Sequence, residues 1–288
     1  MNRLKQKYTR LLGRILHFDI QVLNTTETIN YIKSNEKISV IRFGDGEFDL
    51  IRGKSIPYQD YVPALSHRMK KIILRGTNKN ELVCLPDVFK DLNRYTKTCK
   101  SFFFDYFFYQ NRKILKEISK RNNIYGSTFI SRPYIDLKDK SGSDEYFRLL
   151  KSIWKGKDIL IVEGKFTRSG EGNDLFSEAK SIRRIICPAK NAYSKIAEIE
   201  KAINKYKDKR LVLLMLGPTA KVIVDDFKTD ENQFIDLGHV DTEYEWFKMR
   251  ATTKVKIAHK HTAEFNNDDN DVKLNRNKIF DEQIVEKV

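Results

Sequence analysis

Short apolar runs rich in β-branched residues alternate along the chain with segments whose apolar residues recur at helical spacing. The runs occupy residues 38–43, 81–85, 158–163, 182–187, 210–216 and 233–238. Runs such as 158–163 and 210–216 are apolar almost throughout, which is typical of strands buried on both faces. The segment 192–206 illustrates the helical spacing between them. The alternation predicts an α/β fold with a mainly parallel sheet flanked by helices.

The two ends of the chain depart from this pattern. In residues 1–23, five basic residues precede the first acid, Asp19, and apolar residues recur at helical spacing. We expect a basic amphipathic helix, which either makes a peripheral membrane contact through residues 1–20 or packs on the domain with its basic face in water. Residues 266–288 are polar and acid-rich without turn chemistry, so we expect a weakly ordered C-terminal tail.

The stretch 102–109 holds seven aromatic residues in eight positions. It is far shorter than the roughly 20 residues that cross a bilayer, and no single face of a helix accommodates seven aromatic rings. We therefore expect a core helix whose other face packs on a second copy of the chain, which predicts a homodimer. The alternative interpretation is a platform on which a sugar ring stacks.

The chain is strongly basic, with 54 lysines and arginines against 39 acids and a net charge of +15. An excess of this size indicates an anionic partner: nucleic acid, an acidic membrane surface or a phosphorylated substrate. Cys84, Cys99 and Cys187 are far apart and lack metal-binding spacing, which favours reduced thiols in a cytosolic protein. Without a signal-peptide pattern or a long apolar stretch, we expect a cytoplasmic location, at most at the inner face of the membrane.

Glycines and acids follow the first apolar run, in the hexamer RFGDGE at residues 42–47. The glycines on either side of Asp45 let the backbone turn sharply at the end of a buried strand. In an extended segment Asp45 and Glu47 would point to the same side, where two converging carboxylates favour a divalent cation. The alternative is a solvated Gly-Asp-Gly turn.

Two more loops follow buried strands and precede helix starts. The loop 164–174 contains three glycines, a threonine and an arginine, which can present N–H groups and a cation to phosphate oxygens. The segment 217–219 begins a helix with N–H groups and a hydroxyl at the same sheet edge. Both loops also fit plain connections. The candidate donor-binding residues from these loops are Arg168, Asn173, Gly217, Pro218 and Thr219.

The last apolar run ends in a cluster of titratable residues, namely His239, Asp241, Glu243 and Glu245. Compensation of a helix dipole explains one or two acids in a first turn but not the neighbouring histidine. We expect this cluster to supply the catalytic base or the acceptor contacts. Asp241 or Glu243 is the predicted base, His239 orients it or binds the donor phosphate, and Glu245 is the third choice.

These motifs together resemble the GT-D type glycosyltransferases, a bacterial family long catalogued as a domain of unknown function and found in adhesin-glycosylation and surface-polysaccharide clusters. The resemblance covers about residues 24–265, with the N-terminal helix and the tail outside it. The segments that carry it are 42–47, 131–134, 162–164, 172–176, 184–188, 216–220 and 238–246. Because several motifs fall in order, their combination is more specific than any one of them.

The resemblance implies a single Rossmann-like domain that transfers a hexose, glucose in the known type, from a UDP-sugar. It implies Mn²⁺, or Mg²⁺, as the cofactor and a glycan or glycoprotein as the acceptor. The family's Asp-X-Glu metal motif falls on Asp45 and Glu47, and Arg42 and Gly44 beside it become candidate donor contacts.

Three functions remain open on the residues alone. The first is a metal-dependent glycosyltransferase, and the second is another phosphate-handling enzyme, such as a metal-dependent phosphoesterase, that uses the same carboxylates. The third is a basic binding module for nucleic acid or anionic surfaces. Acids rather than lysines concentrate at the strand ends, so we expect no nucleic-acid partner.

Overall fold

The computed structural model describes residues 11–262, 264, 265, 272 and 276–288. In these residues nine strands form one sheet, and all of its strand pairs are parallel. The strands are β1 (Gln21–Val22), β2 (Ser39–Arg42), β3 (Glu81–Leu85), β4 (Ile124–Ser127), β5 (Asp158–Gly164), β6 (Ser181–Cys187), β7 (Leu211–Met215), β8 (Phe234–Asp236) and β9 (Ile284–Lys287). Their order is β1-β4-β3-β2-β8-β7-β5-β6-β9.

Helices cover both faces of the sheet. They are α1 (residues 11–15), α2 (Thr25–Ser34), α3 (Asp45–Ile51), α4 (Pro63–Arg75), α5 (Lys97–Phe102), a π-helix (Phe103–Phe107), α6 (Phe108–Ser119), α7 (Ser143–Lys151), α8 (Ile196–Tyr206), α9 (Pro218–Asp226), α10 (Val240–Lys248) and α11 (Lys278–Glu282). Short 3₁₀ turns lie at Thr128–Ser131 and Ala192–Lys195.

The core consists of two apolar layers, one on each face of the sheet. One layer includes Ile72 of α4 and Val222 of α9, and the other includes Ile29 of α2 and Trp246 of α10. The central strands β2, β3 and β7 are buried along their whole length, as expected for strands covered on both sides. The α/β prediction is confirmed, and each of the six apolar runs contains a strand.

The strand order reverses at the centre of the sheet. From β2 the chain continues to its neighbour β3 on one side, whereas β8, the other neighbour of β2, is followed by β9 at the opposite edge. In open parallel sheets ligands bind outside the carboxyl ends of the strands at such a reversal. The fold therefore marks the ends of β2 and β8 as the place to look for a site.

The N-terminal boundary differs from the prediction of a separate helix over residues 1–23. Residues 1–10 lie outside the described residues, and α1 ends at residue 15. Phe18 and Ile20 are buried in the core, and β1 pairs with β4. Because this segment belongs to the sheet and the core, the domain begins before residue 24. None of the described helices has the length and apolar character needed to cross a membrane.

The C-terminal boundary also differs from the prediction of a weakly ordered tail over residues 266–288. Much of its first half lies outside the described residues, but α11 and β9 follow. β9 pairs with β6, and the amide of Val288 donates to the carbonyl oxygen of Ile186 at 2.9 Å. Val285 and Val288 pack against the core. The end of the chain therefore completes the sheet.

The aromatic stretch 102–109 runs from the last turn of α5 through the π-helix into α6, and none of its residues is exposed. Phe107 packs edge-on against Phe48 of α3 at 5.0 Å between ring centroids. On another side, a Cβ added to Gly13 of α1 would lie 1.9 Å from the carbonyl oxygen of Phe104, so α1 needs glycine there for its close approach. Other parts of the same chain cover the faces of this stretch that suggested contact with a second copy. The homodimer therefore stays a prediction, and the aromatic stretch no longer supports it.

Candidate active site

A cavity of about 480 Å³ lies at the carboxyl ends of β2, β7 and β8, next to the reversal of strand order. Its volume is in the range of small-molecule sites. Six residues predicted from the sequence line it: Arg42, Gly44, Asp45, Glu47, Gly217 and His239.

Arg42 ends β2 at the base of this cavity and is 7% exposed. Its Nε donates to the carbonyl oxygen of Asp236 at 2.8 Å, and Nη1 donates to the carbonyl oxygen of Thr128 at 2.9 Å and to the hydroxyl of Ser131. Nη2 lies 3.6 Å from Asp236 Oδ1. Most of its donors are thus used within the protein, and Arg42 ties β2 to β8 and to the segment after β4.

Gly238 leaves the space that this arginine needs. Its φ of 49° is in the left-handed region, and an added Cβ would lie 2.1 Å from Arg42 Nη2. A side chain at this position would displace the guanidinium and strain the backbone.

Asp45 and Glu47 lie in the first turn of α3, not in the extended segment assumed above. Residues two apart on a helix point in different directions, so the two carboxylates do not converge by that mechanism. Glu47 turns inward: its Oε2 accepts from the amide of Gly44 at 2.8 Å, and its Oε1 lies 3.0 Å from Lys221 Nζ. Asp45 is exposed and faces the cavity.

Lys221 of α9 is the cation at the centre of the site, although it is only 2% exposed. Its Nζ lies 3.0 Å from Glu47 Oε1 and 2.9 Å from Asp236 Oδ2, and it donates to the carbonyl oxygen of Gly217 at 3.0 Å. A buried ammonium needs such partners because it has left water. Lys221 therefore joins the start of α3, the end of β8 and the start of α9.

The charges around the cavity are paired with one exception. Glu47 pairs with Lys221, while Asp136 and Glu264 lie 3.5 and 3.2 Å from Arg132 Nη2. Asp45, the fourth carboxylate that lines the cavity, forms no ion pair with any residue that the structure describes. An exposed, unpaired carboxylate at the reversal point is free to bind a cation.

The donor set fits a divalent cation that is shared with a substrate better than a resident one. No group of three or more His, Cys, Asp or Glu residues able to hold a metal ion occurs in the described part of the chain. Hard cations such as Mg²⁺ are commonly held by one or two carboxylates together with substrate phosphates. Asp45 is available for this, whereas Glu47 would first have to leave Lys221.

Asp241 and Glu245, two predicted catalytic acids, are not brought to the cavity. Asp241 is 4% exposed, and its oxygens accept from the amide of Gly170 at 2.7 Å, Asn173 at 2.8 Å and Lys260 at 2.9 Å. Glu245 accepts from Asn173 at 2.6 Å and Lys260 at 2.8 Å. Burial raises the pKa of Asp241 and Lys260 opposes it. This network, with Asn173 in it, holds the loop 164–174 against α10.

Glu243 also lies behind the cavity wall. It is 1% exposed, and its Oε2 accepts from the amides of Tyr134 at 3.2 Å and Ile135 at 3.1 Å. Its Oε1 is 3.5 Å from Nε of Arg132, which lines the cavity. Burial raises the pKa of Glu243 to about 7, although Arg132 acts in the opposite direction. Glu243 thus supports Arg132 and does not itself meet the cavity.

His239 is the member of the predicted cluster that lines the cavity. It precedes α10, and its ring centroid lies 5.9 Å from that of Tyr58 and 6.2 Å from that of His261. Burial, together with the charge of His261, lowers the pKa of His239 to about 3. Its imidazole is therefore neutral near pH 7 and can accept a hydrogen bond, although at this pKa it is a weak base.

Only the start of the loop 164–174 approaches the site. Gly164 and Thr167 line a cleft of about 50 Å³ that adjoins the main cavity at His239. Arg168 points elsewhere: it pairs with Glu171, and its guanidinium carbon lies 4.2 Å from the ring centroid of Phe280. The structure does not bring this predicted phosphate ligand to the cavity.

The segment 217–219 is divided between the cavity and the core. Gly217, with φ 51°, lines both the cavity and the cleft, and Pro218 lines the cleft. Thr219 is fully buried, and its hydroxyl has no hydrogen-bond partner among the described residues. Gly217 and the N-terminus of α9 are thus placed as predicted, while Thr219 is not.

Lys221 and Tyr58 are among the cavity residues that sequence reasoning missed. Lys221 had a usable signal, since it lies one helical turn after Gly217 and so returns to the same side of a helix that begins at a strand end. Tyr58 comes from the loop between α3 and α4, which showed no pattern. Burial and the charges of Asp45 and Glu47 raise the pKa of the Tyr58 phenol.

Comparison with known proteins agrees with this architecture. Residues 40–265 match the sequence profile of the family described as "Glycosyltransferase GT-D fold". The chain superposes with a TM-score of 0.90 on a new glycosyltransferase from Streptococcus sanguinis, at 49% identity over 93% of this chain and 99% of that one. A domain described as having a distinct glycosyltransferase fold gives a TM-score of 0.88 at 47% identity, with 99% of both chains covered.

Two curated relatives are longer than this chain. A probable glycosyl transferase, Gly, of Streptococcus gordonii is 49% identical over 92% of the chain, and glycosyltransferase GlyD of Streptococcus pneumoniae serotype 4 is 47% identical over 93%. The chain spans 38% and 33% of their lengths. The profile match covers most of the chain, and the two solved structures match along nearly their whole length. The chain belongs to the glycosyltransferase family with the GT-D fold.

Proposed function

We propose that this protein transfers a hexose, glucose in the first instance, from a UDP-sugar to a glycan or glycoprotein acceptor in a reaction that needs Mn²⁺ or Mg²⁺. The observation that carries the proposal is Asp45, an exposed carboxylate that is unpaired among the described residues, in a cavity whose other acids are paired. A phosphate-bound cation needs such an oxygen ligand from the protein.

The donor diphosphate would lie between Asp45 and the start of α9. Gly217 leaves the backbone open there, and the positive end of the α9 dipole favours a phosphate. Lys221 adds a fixed positive charge at the same place. The divalent cation would be held by Asp45, and by Glu47 once that carboxylate leaves Lys221. It would neutralise the charge that develops on the leaving UDP.

His239 is the residue we assign to the acceptor hydroxyl, as base or as hydrogen-bond acceptor. It lines the cavity and is neutral, whereas Asp241, Glu243 and Glu245 are held in buried contacts. A bound diphosphate would place negative charge near the imidazole, which raises its pKa towards the working pH and improves it as a base.

The biological setting is part of the proposal. The relatives are streptococcal glycosyltransferases, and we propose surface glycoprotein or polysaccharide biosynthesis as the setting of the transfer. Cys84, Cys99 and Cys187 are buried thiols without a disulfide, in keeping with a reducing cytoplasm.

The decisive experiment compares Asp45→Asn with Asp208→Asn. Asp208 is exposed in the turn before β7, at the amino ends of the strands. The cavity lies at the carboxyl ends, so the second variant makes the same chemical change away from it. Each protein is incubated with UDP-glucose, Mn²⁺ and a panel of methyl glycosides, and UDP and glycan products are quantified. We expect Asp45→Asn to lose at least about a hundredfold in turnover and Asp208→Asn to match the wild type.

Wild-type turnover that persists in EDTA, or Asp45→Asn that keeps wild-type activity, would refute the metal assignment. Release of inorganic phosphate without a glycan product would instead favour the phosphoesterase.

A further inference from the structure

The cavity has two chemically different sides. The side over β7 and β8 carries Lys221, Gly217 and His239, which suit a charged diphosphate. The opposite side, over the end of β3, carries the apolar and aromatic residues Pro86, Phe102 and Phe129, although Arg132, Asp136 and Lys254 also line the cavity. A sugar ring has an apolar C–H face that packs on aromatic rings, and its hydroxyls can bond to charged groups beside them. The aromatic side therefore suits the uncharged acceptor of a sugar transfer.

The π-helix determines which aromatic rings reach the side of the cavity over the end of β3. Phe102, the last residue of α5, and Phe103, the first of the π-helix, both line the cavity. Phe107 and Phe108 are buried in the core. A π-turn inserts one residue into the helical repeat and rotates the positions before it relative to those after it. Phe102 remains half-buried, so part of its surface is available from the cavity.

Phe102 is held in place from the same helix that carries Asp45. Its ring lies 5.6 Å from that of Tyr106 at an interplanar angle of 34°. The Tyr106 hydroxyl lies 3.2 Å from Oδ1 of Asp49 and accepts from Arg52 at 3.2 Å, both at the end of α3. These contacts fix the position of Phe102 relative to α3 and hence to Asp45.

We propose that Phe102 is the stacking platform for the acceptor sugar, with Phe103 and Phe129 completing the wall. The proposal rests on the proposed function and deepens it, because it assigns the acceptor to the α5 side of the cavity and the donor to the α9 side. It also gives the aromatic stretch 102–109 a function in place of the predicted dimer contact.

The test compares Phe102→Leu with Phe104→Leu. Both changes remove a ring from the same stretch and keep most of the volume, but the Phe104 ring packs on Phe108 and does not line the cavity. Phe102→Tyr restores a ring. The probes are methyl β-glycosides of glucose, galactose and N-acetylglucosamine, and their binding is measured by saturation-transfer NMR with UDP and Mn²⁺ present. UDP affinity is measured separately by calorimetry.

We expect the wild type to bind at least one glycoside, Phe102→Leu to bind it about tenfold more weakly, and Phe102→Tyr and Phe104→Leu to bind it as the wild type does. A tenfold loss is at the upper end of what one aromatic contact supplies. UDP affinity should stay unchanged in all three variants, since the donor is assigned to the other side.

Three results would overturn the proposal: no glycoside binding by the wild type, undiminished binding by Phe102→Leu, or an equal loss in Phe104→Leu. A loss of UDP affinity in Phe102→Leu would also overturn it, because the ring would then belong to the donor side. The proposed function is judged separately by Asp45→Asn, so the two failures are distinguishable.

Discussion

Replacing Lys221 with methionine removes the ammonium that lies 3.0 Å from Glu47 and 2.9 Å from Asp236. Methionine fills a similar volume, so the loss is mainly electrostatic. Removing one partner of a buried ion pair costs about 3–5 kcal/mol, because the other charge is left without compensation. Arg42, at 3.6 Å from Asp236, compensates one of the two acids, so we expect the lower half of that range. At about 2–4 °C per kcal/mol for a large domain, Tm should fall by roughly 6–16 °C.

Mn²⁺ gives this variant a second, more specific readout. In Lys221→Met the carboxylate of Glu47 loses its ion pair and becomes available to a cation bound at Asp45. Ligand binding to the folded state at a hundred times its Kd adds about 2.7 kcal/mol. We therefore expect Mn²⁺ to raise the free energy of unfolding of Lys221→Met more than that of the wild type, as measured by chemical denaturation.

Lys260→Met is the matched control. Lys260 is 5% exposed and also contacts two carboxylates, Asp241 at 2.9 Å and Glu245 at 2.8 Å, away from the cavity. It should be destabilised to a similar extent without recovery in Mn²⁺. A loss below about 1 kcal/mol in Lys221→Met would refute the account of the ion-pair network. Equal recovery of both variants in Mn²⁺ would refute the position assigned to the metal.

Two further predictions concern Glu243 and α1. Burial raises the pKa of Glu243 from 4.5 to about 7, so the stability that this carboxyl contributes is fully present below pH 4.5 and is lost as the pH rises through about 7. Glu243→Gln should therefore flatten the pH dependence of the free energy of unfolding between about pH 4.5 and 7, by up to about 3 kcal/mol. An unchanged slope in denaturant titrations over this range would contradict this. Leu11 and Ile15 are 59% and 68% exposed on α1, so the double change to glutamate should weaken sedimentation with anionic vesicles while turnover is kept, and equal sedimentation would exclude a membrane contact through these two residues.

The central strands were predictable because a strand covered on both faces must be apolar along its length. The strands that were missed lie at or near the sheet edges. β1 has two residues, β4 includes Gly126 and Ser127, and β9 has two apolar residues followed by two charged ones. Such segments resemble loops or tails until the strands beside them in the sheet are known. The sequence of residues 284–287 therefore predicts a tail, whereas its pairing with β6 makes it a strand.

The sequence was sufficient to predict where the candidate site lies, but not which side chains contact one another within it. Strand ends converge at one edge, so Asp45, Gly217 and His239 were found together. Spacing along the chain does not reveal which buried cation meets which acid. Asp241 is held by Gly170, 71 positions away, and by Lys260. Because of these long-range contacts, the carboxylate of Asp241, a predicted base, is buried away from the cavity.

The neighbouring strands β2 and β8 come from distant parts of the chain, and the contact between Arg42 and Asp236 spans 194 positions. Chain closure over such a separation is slow, because its entropic cost precedes the reward of the contact. During synthesis on the ribosome, the segment that carries Asp45 emerges early, but the cavity can form only after β8 has been synthesised. The cavity is thus completed late in biosynthesis, and a nascent or prematurely terminated chain that lacks β8 cannot form it.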